Sequence, residues 1–168
     1  MVKGLSQTSS LITIGFSVTE SAANTFTQDR VDLQLNPLDN EVFVVQAVNL
    51  DPSEPDVVPA TNTKTDAGLT TTSRTAMPNL SDSAALAIAA LSVRADATNA
   101  VPFSKSSMEV PPTALEYIGI ISTNDFFVQV LGTGNLNPKK VTGKMYGYRA
   151  KASDSVYAAL VQSEVLSS

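Results

Sequence analysis

Apolar and polar side chains alternate with period two over run after run of this chain, and turn-forming residues separate the runs. Period two is the periodicity of a β-strand with its two faces in different environments, so the pattern restricts the chain to sheet structure. From Leu11 to Thr19, Ile12, Ile14, Phe16 and Val18 fall on one face and Thr13, Gly15, Ser17 and Thr19 on the other. In Phe26–Leu35, Val31, Leu33 and Leu35 alternate with Arg30, Asp32 and Gln34, and Asn36-Pro37-Leu38-Asp39-Asn40 reads as a turn. Glu41–Leu50 is apolar on both faces, with Val42, Val44 and Val48 on one and Phe43, Val45 and Ala47 on the other, which predicts a central strand ended by Pro52 and Pro55.

Later runs extend the pattern. Thr-rich Leu69–Thr75 reads as an exposed or edge strand. Ser81–Arg94 divides into a short helical turn over 81–85 and a strand to about 94, and 95–115, with Pro102, Pro111 and Pro112, reads as a loop. Glu116–Ser122 and Asp125–Leu131, joined by a short polar link, predict a hairpin. In Lys139–Lys151, Val141, Gly143, Met145, Gly147 and Arg149 face one way, and Lys140, Thr142, Lys144, Tyr146, Tyr148 and Ala150 the other. The tail from Ser153 reads as a helix whose stripe is Val156, Ala159, Leu160 and Ser163. Together these predict an all-β, antiparallel β-sandwich of jelly-roll type with a short C-terminal helix. Residues 1–9 are expected to be a flexible N-terminal arm and 10–168 a single sandwich domain.

Composition excludes several chemistries. Of 168 residues none is Cys, His or Trp. That removes disulfide frameworks, thiol nucleophiles, Ser-His-Asp triads and His-based metal sites. Charged residues make up only 16%, below the roughly 25% of an average soluble protein. A surface short of charge suits a protein covered by its neighbours. Net charge is −5, which opposes nucleic-acid binding by the whole domain. The charge is uneven: residues 1–100 hold 5 basic and 11 acidic groups, residues 101–168 hold 6 and 5. No signal peptide and no membrane span are expected.

Two stretches carry candidate sites. Lys139, Lys140, Lys144, Arg149 and Lys151, with Tyr146 and Tyr148, offer a patch for subunit or nucleic-acid contact. The competing reading, which the sequence favours, is a solvated edge strand whose lysines block wrong pairing. Asp51, Glu54 and Asp56 offer hard oxygen ligands for calcium, a solvated loop, or a partner for the basic strand. A glycosidase carboxylate pair is disfavoured by the scarcity of sugar-stacking aromatics, 6% with no Trp. No cofactor or metal is implied, and the expectation is a non-enzymatic protein.

Glu116-Tyr117-Ile118-Gly119-Ile120-Ile121, Asp125-Phe126-Phe127-Val128-Gln129-Val130 and Val141-Thr142-Gly143-Lys144-Met145-Tyr146-Gly147-Tyr148-Arg149-Ala150 resemble stretches of small single jelly-roll capsid proteins of environmental, marine viruses. The resemblance is strongest over 116–168. It implies a structural subunit that assembles with itself into a capsid or virion shell, located in the virion, with genome nucleic acid as a weak partner on the inner face. One departure stands out: many such proteins have a basic N-terminal arm, whereas residues 1–20 here hold only Lys3 and Glu20. The alternative expectation is a carbohydrate- or receptor-binding β-sandwich module, such as a decoration or spike protein.

Overall fold

The structure is a computed structural model and describes residues 3–106 and 115–167. Ten strands and one helix follow in order: β1 (Leu5–Gln7), β2 (Ile12–Thr19), β3 (Thr27–Asp32), β4 (Glu41–Pro52), β5 (Thr63–Thr70), β6 (Ala85–Ala95), β7 (Ala100–Ser106), β8 (Gly119–Ile121), β9 (Asp125–Thr133), β10 (Lys140–Ala152) and α1 (Asp154–Ser167). A 3₁₀ turn, Pro37–Asp39, precedes β4, its Leu38 N–H capped by the Asn36 side chain. All strand pairs are antiparallel.

One sheet runs β2-β10-β4-β8, with β1 in line with β2 along the same side of β10; the other runs β3-β9-β5-β6-β7. Without β1 and β7, these two four-strand orders are those of a jelly roll. Among these eight strands, successive ones cross from sheet to sheet except at the β5–β6 hairpin. The protein is thus an all-β sandwich closed by a C-terminal helix.

Alternation explains the core. Phe43, Val45, Val48, Val141 and Met145 from the first sheet meet Leu69, Ala89, Phe126, Val128 and Val130 from the second. Phe16 and Phe126 pack edge to face, their ring centroids 6.0 Å apart. A smaller cluster lies on the outer side of the first sheet, where Leu5, Val42, Val44, Ala150 and Ala152 are covered by Val156, Tyr157 and Leu160 of α1.

Several expectations from the sequence change. The β4 faces re-phase at Gln46, which has no register partner because Tyr146 pairs with Ala47 and Gly147 with Val45. This bulge sends Val42 and Val44 outward under α1, while Val48 joins Phe43 and Val45 in the core. The expected hairpin is not formed: β8 pairs with β4, and β9 lies between β3 and β5. The link between them crosses from sheet to sheet instead. The Glu164 carboxylate accepts its Ser122 and Thr123 N–H groups, and Asn124 accepts from Leu33 and Leu35. The threonine-rich segment is not an edge. Of Leu69–Thr75 only Leu69 and Thr70 are strand, the end of β5 between β9 and β6; residues 71–75 are not strand, and Thr70, Thr71 and Thr72 are buried.

Residues 81–85 form successive turns rather than helix, with Asp82 N–H donating to Asn79 O and Ala85 N–H to Asp82 O. Within the expected loop 95–115, residues 100–106 are the edge strand β7. Pro102 is tolerated there because an edge strand leaves one row of N–H groups without a ladder. Pro111 and Pro112 lie outside the described residues.

Residues 5–7, expected within a flexible arm, add to β10 opposite Ala150–Ala152. The Ser153 N–H donates to Gly4 O, and Gly4 takes φ +84°. On α1 the inward residues are Val156, Tyr157, Leu160 and Glu164, while Ala159 and Ser163 are exposed.

Candidate functional site

The five basic residues do not form one patch. β10 has β4 along one side and β1 and β2 along the other, so it is a central strand and the edge-strand reading is overturned. Lys139 is buried, its Nζ 2.7 Å from Asp56 Oδ1. Arg149 donates to Glu41 Oε1 at 2.8 Å and to the Leu33 carbonyl at 2.7 Å. These two cations tie the sandwich together. Lys140, Lys144 and Lys151 remain exposed, Lys151 at the far end of the strand opposite Ser6 and Glu41.

The acidic loop is also divided. Asp56 Oδ1 takes the Lys139 ammonium, and Oδ2 accepts the N–H groups of Leu136 and Asn137. The Lys139 hydrogen bond, helped by those two amides, holds the Asp56 carboxyl below its ordinary range against the opposing effect of burial. Part of the complementary charge seen in the sequence is therefore joined within one chain. Asp51 and Glu54 are exposed. Among the described residues, no group of three or more carboxylates is placed to hold a metal ion.

Sequence reasoning missed Glu20, which is only 4% exposed. Its Oε1 accepts the Lys139 N–H at 2.7 Å, and its Oε2 accepts those of Thr25 at 2.8 Å and Gly132 at 2.9 Å. The carboxylate thereby joins the β2–β3 loop, the end of β9 and the start of β10. A lone Glu at a strand end carries no sign of this in the sequence.

The outer side of the first sheet beyond α1 presents an open face. In register across β2, β10 and β4 lie Gly15–Lys144–Asn49, Ser17–Thr142–Asp51 and Thr13–Tyr146–Ala47. Its side chains are mostly neutral, with Lys140, Lys144 and Asp51 the charged ones, and no described element covers it. No protein-family model matches this chain, and no curated protein sequence matches it. What the faces can do rests on their own chemistry. The buried or half-buried carboxylates of Glu20, Asp56, Asp82 and Glu164 are each engaged by backbone N–H groups or by a cation.

The outer side of the second sheet differs. There β5, β6 and β7 bring together Lys64, Arg94, Phe103 and Lys105 around a depression of about 610 Å³. These residues were invisible as a group in the sequence, because they are spread over some forty positions and β7 read as loop.

Proposed function

We propose that this protein is a structural subunit that assembles with copies of itself into a viral capsid or other virion shell. The observation that carries the reading is the strand order, β2-β10-β4-β8 packed on β3-β9-β5-β6, an architecture on which many capsid subunits are built. Because folds are shared among functions, the reading also draws on the chemistry of the surface. The chain is poor in charge, and its open β2-β10-β4 face sets Thr13, Ser17, Thr142 and Asn49 around Lys140, Lys144, Asp51 and Tyr146. The neutral residues of that face lose little on being buried against a copy, while Lys140, Lys144 and Asp51 offer both signs of charge to pair with one. A standard contact of this kind buries about 1,600 Å² in total. Lys140 and Lys144 on that face set its pairing with acidic surface of a neighbour, and any genome contact is secondary to this role.

Size-exclusion chromatography with light scattering, followed by negative-stain imaging, tests the reading. Closed particles of uniform diameter are expected at raised concentration or salt. Lys140→Glu with Lys144→Glu is expected to keep the far-ultraviolet spectrum and lower the assembled fraction. A protein that stays monomeric over the whole range of conditions refutes shell assembly. Assembly unaltered by the double substitution removes this face from it.

A further inference from the structure

The outer face of the second sheet is organised by strand register. Lys64, Ser92 and Phe103 are cross-strand neighbours on β5, β6 and β7. Two residues along, Asp66, Ala90 and Lys105 form the next row, and in the other direction Arg94 stands beside Val101. The middle strand supplies small side chains, Ala90 and Ser92, between longer ones on either side. They form the floor of a trough of about 610 Å³, continuous through Lys64, Ala90 and Lys105 with a second hollow that ends against Met77–Leu80. That size lies within the roughly 300–1,000 Å³ of small-ligand sites.

The charge in the trough opposes that of the molecule. Three cations, Lys64, Arg94 and Lys105, face one carboxylate, Asp66, in a chain of net charge −5. Lys64 leans on Asp66 at 3.2 Å. Among the described residues neither Arg94 nor Lys105 has an ion-pair partner. Strand spacing puts the Arg94 backbone about 8 Å and the Lys105 backbone about 12 Å from that of Lys64. Phe103, 54% exposed, adds an apolar face at the rim, and Asn62, Ser92 and Thr133 add neutral hydrogen-bonding groups.

We propose that this trough binds a short acidic saccharide, one carrying sulfate or carboxylate groups on successive sugars. Spaced cations match spaced anions, the ring of Phe103 suits the apolar face of a sugar, and the neutral groups suit its hydroxyls. A single-stranded nucleic acid fits less well. It calls for a longer basic track with several stacking aromatics, whereas this one ends within three strands and has one aromatic ring. The inference is independent of shell assembly, since the trough lies on the opposite sheet from the Lys140 and Lys144 face.

The test uses the full chain and four labelled probes: a heparin-derived hexasaccharide, an oligogalacturonate, neutral maltohexaose and a twelve-residue oligothymidylate. An acidic saccharide is expected to bind in a salt-dependent way and at least about tenfold more tightly than maltohexaose, a difference worth about 1.4 kcal/mol. Arg94→Gln with Lys105→Gln is expected to weaken it by at least about tenfold, and Phe103→Ala several-fold, while Lys140→Gln with Lys144→Gln leaves it within about twofold. Amide shift mapping on the unmodified protein, which does not depend on how variants fold, is expected to centre on Lys64, Ser92, Arg94, Phe103 and Lys105. The proposal is overturned by any of four results: no acidic saccharide bound at about 1 mM, shifts centred elsewhere, equal weakening by the Lys140 and Lys144 substitutions, or oligothymidylate bound as tightly through the same residues.

Discussion

Glu20→Gln is the substitution whose cost follows most directly from the structure. The carboxylate accepts three backbone N–H groups, Lys139 on Oε1 and Thr25 and Gly132 on Oε2. Glutamine has the same shape, but it has one acceptor oxygen and an NH₂ group that can only donate. In its better orientation the oxygen keeps Thr25 and Gly132, and the NH₂ faces the Lys139 N–H. One buried donor then loses its partner, at a cost of about 1–3 kcal/mol. The two surviving bonds lose the assistance of the charge, which adds about 1 kcal/mol. The expected loss is about 2–4 kcal/mol, a large part of the roughly 5–15 kcal/mol that stabilises a domain.

Urea unfolding at neutral pH reads this directly. With a slope near 2 kcal/mol per molar, the midpoint falls by about 1–2 M. Native-state hydrogen exchange is expected to quicken first at Lys139. Gly132→Ala strikes the same point, because its Cβ would stand 2.8 Å from Glu20 Oε1 and 2.7 Å from Asn135 Nδ2. The two substitutions together therefore cost less than their sum. A Glu20→Gln midpoint within about 0.25 M of the parent, with unchanged exchange, refutes the argument.

Acid unfolding tests the Asp56–Lys139 pair. The folded carboxyl titrates below its ordinary value of 3.8, so the unfolded chain takes up the proton first as pH falls. The stability from Asp56 is present above that value and is lost as pH falls through the lower, folded one. Asp56→Asn is thus expected to flatten the stability curve below about pH 4.5, and urea midpoints that fall in parallel with the parent would count against it. Gly4→Ala meets both a φ of +84° and a Cβ 2.7 Å from Val156 Cγ2. A loss of about 1–2 kcal/mol with faster exchange in α1 is expected, and an unmoved thermal midpoint would show that β1 and α1 do not lean on each other.

The strands were legible where one face is apolar and the other polar. In β2, Ile12, Ile14, Phe16 and Val18 all turn inward as their spacing requires, and β10 keeps the two faces read from Val141 and Lys140 onward. Legibility failed where a single residue changes the phase or the neighbour. Gln46 shifts Val48 to the other face of β4, and no local preference of Gln announces a bulge. Four polar residues after Ile121 look like a hairpin turn, but here they carry the chain between sheets, and the residues that stabilise the crossing, Glu164 and Asn124, come from elsewhere. Of the candidate site, the basic residues were visible and their roles were not. Lys139 and Arg149 are held in ion pairs with Asp56 and Glu41, far away in the sequence.

By itself, the sequence determined the class of structure and the chemistry denied to it. Period-two alternation permits only strands that bury one face or both, and a chain without His or Cys has neither imidazole nor thiol to offer. Tertiary structure alone decided which strand pairs with which, and therefore that Lys64, Arg94, Phe103 and Lys105 share a trough while the basic residues of 139–151 divide between the surface and ion pairs. The physical reason is that every strand edge offers the same row of N–H and C=O groups. Local sequence cannot tell one such edge from another, and the choice falls to the packing of all ten strands at once.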